Sequence, residues 1–497
     1  MSRALAPETA AAFAYAPAAE GPGWTYRPTV MTLGLVGLMT IAAMVGPAGA
    51  MRLGFPALAA VIAGLLLLKG RLSQFICFCV ALFVFTPFVR RLVDIRAGWE
   101  TLNLLLLAPY AAAVYALGTF AHALARGDDI PGRASFIVVI ATTTFGLGSA
   151  IIQGKLLAGG YDYLRWVVPP ALALLIICNR DHLRVVGDEL TRLTLVVVPI
   201  VGMYGVYQFL RLPAWDAFWM QNAGLVSIGP PIPMQFRVFG TMNSPGSFSG
   251  YLMIALAILL VARSPLRWVG LAVGSLALAL TLSRTAWLGF VVATAILVLA
   301  GPVRTKMSVA TLVGGAILAL PMLLVVPEIY NAIATRLDSF NYLSGDTSFN
   351  ERSTDFLIFQ EQASTLLIGQ GLAVNGAYTS YAGNGPVRYI DGGPIETVTA
   401  LGLVAGLMYY GAVAFLSVRA LKVRPGPSGD AALCAACKAI VVTGWVLQIG
   451  GSTTIGEVGV FFWIALGILL AHIEPSRRED VQPNHGRAFG RPVEMPS

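Results

Sequence analysis

Charged residues are scarce in this chain. Asp, Glu, Lys and Arg together make up 12% of its 497 residues, while hydrophobic residues make up 57%. A soluble domain carries about a quarter charged residues, so this composition excludes an ordinary soluble fold. The apolar residues occur in runs long enough to cross a bilayer, which takes about twenty residues per helix. We therefore expect an all-α, polytopic integral membrane protein with about 12–14 transmembrane helices.

Cysteine and histidine are also rare, with 5 and 4 residues. Cys434-Ala-Ala-Cys437 has the spacing of a metal or redox motif, but no second cysteine pair and no histidine close in sequence accompany it. Small residues within a helix are therefore the favoured interpretation. No nucleotide-binding loop and no Asp-x-Asp motif occur in the sequence, and we expect neither a metal nor a cofactor.

The net charge of +8 comes from basic residues scattered singly between apolar runs. This pattern is typical of short cytoplasmic loops, so it predicts no nucleic-acid partner. With the N-terminus inside, every predicted inner loop carries at least two Lys or Arg, and both termini are cytoplasmic. These loops are 69–71, 124–133, 180–192, 263–267, 302–307 and 418–430.

The two ends of the chain lack long apolar runs. Residues 1–29 contain no apolar core ahead of a cleavage site, which indicates a disordered tail rather than a signal peptide. Residues 473–497 have the composition of a second disordered tail. The polytopic membrane domain is therefore expected over 30–472. Within it, 268–301 is too long for one span, so we predict two spans with a tight outer turn at Ser283-Arg284-Thr285.

The longest polar stretch, 327–392, is predicted to be one large outer loop. Ser348-Phe349-Asn350-Glu351 fits a capping box at the start of a helix. Apolar residues then recur at helical spacing, so we expect an amphipathic helix from about 349 to 367 along the membrane face. Arg352 lies in its first turn, where a bound phosphate or Asp355 would balance the cation.

The loop ends at Asp391-Gly392-Gly393-Pro394-Ile395-Glu396. Gly393 is the predicted N-cap of the next helix, with Pro394 first in the helix and Glu396 in a structural position. Asp391 lies just outside the helix, on a flexible Gly-Gly hinge. It could accept a proton from a sugar hydroxyl, or it could be an ordinary turn aspartate.

Arginine is abundant on the predicted outer side, where the positive-inside rule disfavours it. Arginine rather than lysine suggests bidentate binding of phosphate or carboxylate. Pairing with the outer acids Asp94, Glu100, Asp338 or Asp355 explains any single arginine equally well, but the set as a whole favours a polyanion site. The set is Arg90, Arg91, Arg96, Arg237, Arg284, Arg336, Arg352 and Arg388.

A turn follows Arg237 and precedes a helix expected near Ser247. Its residues Phe239 to Gly246 include Asn243 and Pro245. The first amides of that helix can bind an anion, although the pattern also fits a simple helix start.

At these positions the chain resembles the O-antigen ligase and O-antigen polymerase superfamily, over roughly residues 190–472. The resemblance rests on Arg237 before its turn, on Ser283-Arg284-Thr285-Ala286-Trp287, on the long loop with Ile368-Gly369-Gln370-Gly371, and on the return of that loop into a span. In the family's ligase motif, Asp391 stands here at the histidine position, Gly392 follows it, and Gly402 matches the glycine. Ala405 stands where a further glycine is expected.

The histidine that the ligases carry is therefore replaced. His122, His182, His472 and His485 are all predicted at cytoplasmic ends or in the tail. No outer histidine is expected to act as the ligase base, which favours polymerase-type glycan transfer over ligation.

The resemblance implies a bacterial inner-membrane glycosyltransferase that joins polyprenyl-pyrophosphate-linked oligosaccharide repeats on the periplasmic face. Its implied partners are that lipid-linked glycan, membrane lipid, and a flippase and chain-length regulator of the same pathway. Arg237 and Arg284 are expected to stabilise the leaving pyrophosphate, and Asp391 to activate or position the attacking hydroxyl. The residues expected to bind pyrophosphate or glycan are Arg352, Arg388, Asn243, Arg90 and Arg91.

Two other functions fit the same residues. An O-antigen ligase would transfer the glycan to a different acceptor. A transporter of lipid-linked sugars would also use an arginine-lined site, although paired repeat halves and mid-membrane charges are typical of transporters. The sequence shows no second copy of the long loop, so transport is the weaker alternative.

Overall fold

The computed structural model describes residues 27–101, 103–126, 130–324, 330, 334, 367–375, 390, 392–424 and 431–473. Regular structure within these residues is helical and includes no strand, which confirms the all-α prediction. Residues 1–26 and 474–497 of the predicted tails lie outside them, as does most of the predicted loop 327–392. The first helix begins at Arg27, slightly inside the segment predicted as an N-terminal tail.

Short connections join most successive helices, although the segment 224–244 separates two of the helices. The first are α1 (Arg27–Val45), α2 (Ala48–Leu68), α3 (Leu72–Ala97), α4 (Ala108–Ala113), α5 (Tyr115–Arg126), α6 (Arg133–Ile152), α7 (Leu156–Cys178), α8 (Leu183–Arg211) and α9 (Ala214–Ala223). They are followed by α10 (Pro245–Val261), α11 (Arg267–Leu280), α12 (Arg284–Ala300), α13 (Val303–Leu324), α14 (Gly393–Leu401), α15 (Leu403–Leu421), α16 (Ala431–Leu447) and α17 (Gly456–Ala471).

Eight helical segments are long and apolar enough to cross a membrane. They are Arg27–Val45, Ala48–Leu68, Leu72–Ala97, Leu104–Ala123, Arg133–Ile152, Leu156–Cys178, Arg180–Arg211 and Leu403–Leu421. Among the shorter apolar helices, α10 and α17 pack against these segments, while α12 packs against α16 and α10. The protein is therefore a polytopic membrane protein, while the total of about 12–14 spans and the cytoplasmic placement of the ends stay predictions.

The bundle has a buried centre and an apolar exterior. In α3, 89% of the most apolar stretch is buried, against 28% in α1. Small residues allow the central helices to approach closely. A Cβ on Gly467 of α17 would lie 2.8 Å from the Ala173 backbone in α7, and one on Gly202 of α8 would lie 3.1 Å from the Gly274 nitrogen in α11.

Because short turns connect successive helices, the turns gather at two opposite ends. The polar end contains 46–47, 98–103, 153–155, 212–244, 281–283, 367–375, 390–392 and 448–455. The basic end contains 69–71, 130–132, 179–182, 262–266, 301–302 and 422–424. Hydrogen bonds link turns at the same end, such as Arg237 Nε to the Thr281 carbonyl (3.1 Å) and the Gly393 amide to the Gln448 carbonyl (2.9 Å).

Two sequence predictions about helix ends are tested here. Separate helices end at Leu280 and begin at Arg284, which confirms two helices with a tight turn, although the turn lies slightly earlier than predicted. Helix α14 begins at Gly393 with Gly392 as its N-cap, so the predicted cap at Gly393 and the predicted first helical residue, Pro394, were each one residue late. Helix α14 is also separated from α15 by Gly402, a break that the sequence pattern did not predict.

Candidate functional site

Arg237 lies at the polar end, in the segment between α9 and α10. Its backbone N–H donates to the Ile228 carbonyl (2.8 Å), which holds the segment in a folded loop. The half-buried side chain donates from Nε to the Thr281 carbonyl (3.1 Å) and from Nη1 to the Ser227 carbonyl (3.4 Å). Because Thr281 belongs to the turn that leads to Arg284, both predicted catalytic arginines lie at the same turn.

Arg284 is the first residue of α12 and is half-buried. The indole N–H of Trp287 donates to the Leu278 carbonyl (3.1 Å), which fixes the start of α12 against the end of α11. A cation in the first turn of a helix is opposed by the helix dipole, whereas an anion there is stabilised. The position of Arg284 is therefore electrostatically better when an anion is bound beside it.

Asn243 precedes the N-terminus of α10, the third part of the predicted anion site. Ser244 is the N-cap, and its Oγ accepts the Ser247 amide (3.0 Å), so one of the amides expected to be open is already capped. The Asn243 Oδ1 and the Thr241 hydroxyl are buried and have no hydrogen-bond partner among the described residues. Unpaired buried polar atoms are rare, and here they indicate a place for a polar ligand or ordered water.

A second group of charges, absent from the sequence analysis, lies at the same end. On α7, Arg165 Nη1 donates to Asp162 (2.7 Å), and the other oxygen of Asp162 accepts the backbone amide of Ala373 (2.9 Å). Asp162 is buried and Arg165 is partly exposed. This ion pair joins α7 to the returning segment of the long loop.

Two glutamates face the Arg165 guanidinium. Glu396 of α14 accepts the Ser452 hydroxyl (2.5 Å) and a hydrogen bond from Asn375. Burial raises the pKa of the Glu396 carboxyl, while the charge of Arg165 lowers it. Glu457 of α17 accepts a hydrogen bond from Ser247, so this group continues to the N-terminus of α10. Glu396 was predicted to be structural, but it lies within a connected polar network.

The segment 367–375 carries Ile368-Gly369-Gln370-Gly371 into the bundle. Its backbone is satisfied by the protein interior, because the Gln370 amide donates to the Thr399 carbonyl (2.7 Å) and the Leu372 amide to the Gly146 carbonyl (3.1 Å). Irregular backbone within a membrane protein requires such internal partners. Gly369 has φ +78°, and a Cβ there would lie 2.3 Å from the Gly402 nitrogen, so the motif and the break between α14 and α15 fit each other.

Arg90 and Arg91 point into the protein. Arg90 donates to Asp94 (3.0 Å) and to the Glu100 carbonyl (2.7 Å), which supports the alternative of pairing with outer acids. Arg91 is completely buried, forms an ion pair with Asp216 (3.0 Å) and donates to the Gly240 carbonyl (2.6 Å). This corrects the expectation that Arg91 binds substrate directly, since protein groups enclose its guanidinium.

Asp391, Arg352 and Arg388 lie outside the described residues, as does Arg336. The residues on both sides of position 391 are described. Asn375 accepts the Ile390 amide (2.9 Å) and donates to the Ile390 carbonyl (3.3 Å), and a Cβ on Gly392 would lie 4.0 Å from the Ile449 carbonyl. The chain therefore enters and leaves position 391 at the polar end.

The histidines that the structure describes lie toward the basic end. His182 belongs to the turn before α8, and His122 lies in the second half of α5. His472 follows α17 and contacts the Ile468 carbonyl (2.9 Å) and the Cys434 sulfur (3.7 Å). These histidines lie together at the end opposite Arg237 and Arg284, and that this end faces the cytoplasm stays a prediction.

The missed charges had a signal in the sequence. Asp162 and Arg165 interrupt the apolar run of α7, and Glu457 lies at the start of a strongly apolar helix. Ionisable residues within such runs are functional candidates by default, because placing them in a membrane is costly. These three residues lie within apolar runs, whereas the predicted site residues lie mainly in the loops.

Comparisons of the chain with protein-family models, with curated proteins and with solved structures found no match.

Proposed function

We propose that this chain is a metal-independent membrane glycosyltransferase that joins polyprenyl-pyrophosphate-linked oligosaccharide repeats into a longer glycan. The observation that carries the proposal is that Arg237 donates to the turn just before Arg284, beside the N-terminus of α10. Two arginines and a helix N-terminus supply positive potential at one end of a membrane bundle. A pyrophosphate leaving group needs that potential when it departs.

The arginines have a defined role in this reaction. As the bond from the anomeric carbon to the pyrophosphate oxygen breaks, negative charge grows on the lipid pyrophosphate. Arg237 and Arg284 stabilise that charge, and the unpaired Oδ1 of Asn243 lies at the adjacent helix start, where a sugar hydroxyl or phosphate-bound water can donate to it. The dipole of α12 makes Arg284 most favourable when the anion is present.

In this proposal the acceptor glycan binds at the same polar end, on the side away from the pyrophosphate. A hydroxyl oxygen of the acceptor forms the new bond to the anomeric carbon, and its proton passes to the carboxylate of Asp391. Arg165 and Glu457, which are partly exposed, offer polar groups for the other sugar hydroxyls, the buried Glu396 supports them from within the protein, and Ser247 joins Glu457 to the pyrophosphate side. Carboxylates and arginine form stronger hydrogen bonds to hydroxyls than neutral groups do.

The described residues form an apolar crevice between α3, α8, α10, α16 and α17. Large apolar side chains are also exposed on the outside of the bundle, among them Leu38, Leu58 and Leu407. We infer that the tail lies against the exposed apolar surfaces of the bundle.

The test is reconstitution of the purified protein with a synthetic polyprenyl-pyrophosphate oligosaccharide and no nucleotide. Wild type should produce a ladder of longer lipid-linked glycans. Arg284→Ala should slow transfer by roughly 10²–10³-fold, the loss typical for removing one charge-stabilising donor. Arg263→Ala is the matched control, because Arg263 is an exposed arginine at the basic end and should transfer normally.

Other results would redirect the assignment. A normal ladder from folded Arg284→Ala protein would contradict the arginine role. Transfer of the glycan to a different acceptor, without longer lipid-linked chains, would indicate the ligase alternative. Movement of intact lipid-linked sugar across the bilayer, with no transfer, would indicate the transporter alternative.

A further inference from the structure

Arg91 is the centre of a buried polar cluster that the proposed chemistry does not use directly. Its Nη1 lies 3.0 Å from Asp216 Oδ1, and its Nη2 donates to the Gly240 carbonyl (2.6 Å). Both side chains are completely buried. The rings of Phe88 and Phe239 lie 5.7 and 4.9 Å from the guanidinium carbon, so aromatic faces enclose the cation.

Gln208 of α8 contacts the turn at Gly240 with both the oxygen and the nitrogen of its side-chain amide. Its Oε1 accepts the backbone amides of Phe239 (3.2 Å) and Gly240 (2.9 Å). Its Nε2 donates to Asp216 (2.8 Å) and, at 3.3 Å, to the Gly240 carbonyl. One side chain therefore binds both the N–H and the C=O of Gly240.

The turn is held from the opposite side as well. Gly240 has φ +53°, and a Cβ at this position would lie 2.4 Å from the ring of Phe248 in α10. The backbone of Gly240 is thus confined between the polar groups of Arg91 and Gln208 and the aromatic ring of Phe248. Its position is defined more tightly than that of an ordinary surface turn.

We propose that Arg91, Gln208 and Asp216 are positioning residues that fix Gly240, so that Arg237 before the turn and Asn243 after it converge on one bound pyrophosphate. The inference rests on the proposed function, because it assigns a purpose to the geometry of that same anion site. Arg237 and Asn243 flank Gly240 closely in sequence, so a shift of Gly240 moves both groups relative to Arg284. None of the three positioning residues needs to touch the ligand.

Gln208→Leu tests the proposal, because it removes all four polar contacts while keeping an apolar side chain of similar length. We expect the Kd for inorganic pyrophosphate to rise at least tenfold and the KM for the lipid-linked donor to rise with it. Gln208→Met removes the same contacts with a side chain as long as that of glutamine and should raise the Kd by a similar factor. This second variant also tests the positioning role if Gln208→Leu does not fold.

Tyr204→Phe is the matched control. The Tyr204 hydroxyl donates to Asp216 (2.6 Å) and accepts from the Trp215 indole N–H (2.8 Å), so this change removes two hydrogen bonds from the same region without removing any contact to Gly240. If the cluster were purely structural, Tyr204→Phe and Gln208→Leu proteins of equal thermal stability would bind pyrophosphate with similar affinity. The positioning role predicts that only the Gln208 variants lose affinity.

The outcomes separate this inference from the function that it rests on. Wild type that binds pyrophosphate but transfers no glycan would refute the transferase proposal, while the ratio of Kd values would still decide the positioning role. Folded Gln208 variants with wild-type Kd and KM would overturn the positioning role alone. Wild type that binds no pyrophosphate would overturn both.

Discussion

The polar end and the basic end of the bundle both carry arginine, but they use it differently. At the basic end, Arg180, Arg267 and Lys438 donate to the carbonyls of Ile473 (3.0 Å), Ala262 (2.6 Å) and Val423 (2.6 Å). Each of these carbonyls lies just beyond the C-terminal end of a helix. A cation at that end is stabilised by the helix dipole and needs no ligand.

At the polar end, Arg284 opens α12, a placement that it shares with Arg133 and Arg267, which open α6 and α11 at the basic end. Arg237 binds the carbonyl of Thr281 at the end of α11, much as the basic-end cations do. The features that distinguish the polar end are therefore the turn that Arg237 shares with Arg284 and the carboxylates around Arg165. The groups packed around a cation say more about its function than the helix terminus that it occupies.

The largest effect on stability is predicted for a substitution of Arg91. Arg91→Leu leaves the buried carboxylate of Asp216 without its cation, which typically costs about 3–5 kcal/mol. We expect a large loss of thermal stability in detergent, measured by the unfolding midpoint of the purified protein. Arg180→Leu at the basic end, where the carbonyl partner is partly accessible, should change the midpoint far less. Equal losses in the two variants would remove the difference between the ends.

A smaller effect is expected where the long loop returns to the bundle. Gly402 has φ +86°, and a Cβ there would lie 2.6 Å from the Leu367 carbonyl, so Gly402→Ala must move the Ile368-Gly369-Gln370-Gly371 segment. Backbone strain of this kind costs about 1–3 kcal/mol. The variant should unfold earlier and show greater protease cleavage near 367–375.

Gly411→Ala in α15 is the control for that change, because a Cβ there would meet nothing within 4 Å. In the interior of a helix, alanine is favoured over glycine by about 0.5–1 kcal/mol. Gly411→Ala should therefore be neutral or slightly stabilising. If Gly402→Ala were as stable as Gly411→Ala, the close fit between the motif and the helix break would not contribute to folding.

The smallest effect is predicted for Lys438 at the basic end. Lys438→Met keeps the apolar part of the side chain and removes one hydrogen bond to the Val423 carbonyl. A typical hydrogen bond contributes about 0.5–1.5 kcal/mol net, and a charged donor contributes somewhat more. We expect a shift of a few degrees in the unfolding midpoint and unchanged glycan transfer. Loss of transfer at normal stability would show that chemistry also depends on the basic end.

The sequence was informative where local signals decide structure. The pattern of apolar runs predicted the helices, and the length of 268–301 predicted the turn before Arg284, because a single helix would exceed the membrane thickness. Glycine and proline predicted the start of α14 to within one residue. Excess arginine on one side of the predicted topology led to Arg237 and Arg284, which the fold brings to one turn.

The sequence was uninformative about which charges pair. Asp162 contacts the amide of Ala373 across 211 residues, and Arg91 contacts Gly240 across 149. No local pattern encodes such contacts, because they depend on how helices from distant parts of the chain pack. Arg91 and Arg284 therefore looked alike in the sequence, although one is enclosed by protein and the other opens a helix.

The sequence by itself determined that this is a helical membrane protein with its basic loops on one side, since apolar length and charge bias act locally along the chain. Only the tertiary structure decided which arginines meet at one turn, which are enclosed, and that Asp162, Arg165, Glu396 and Glu457 lie within electrostatic range of one another. The reason is physical. The cost of burying a charge depends on every group packed around it, and that set of neighbours exists only once the helices have assembled.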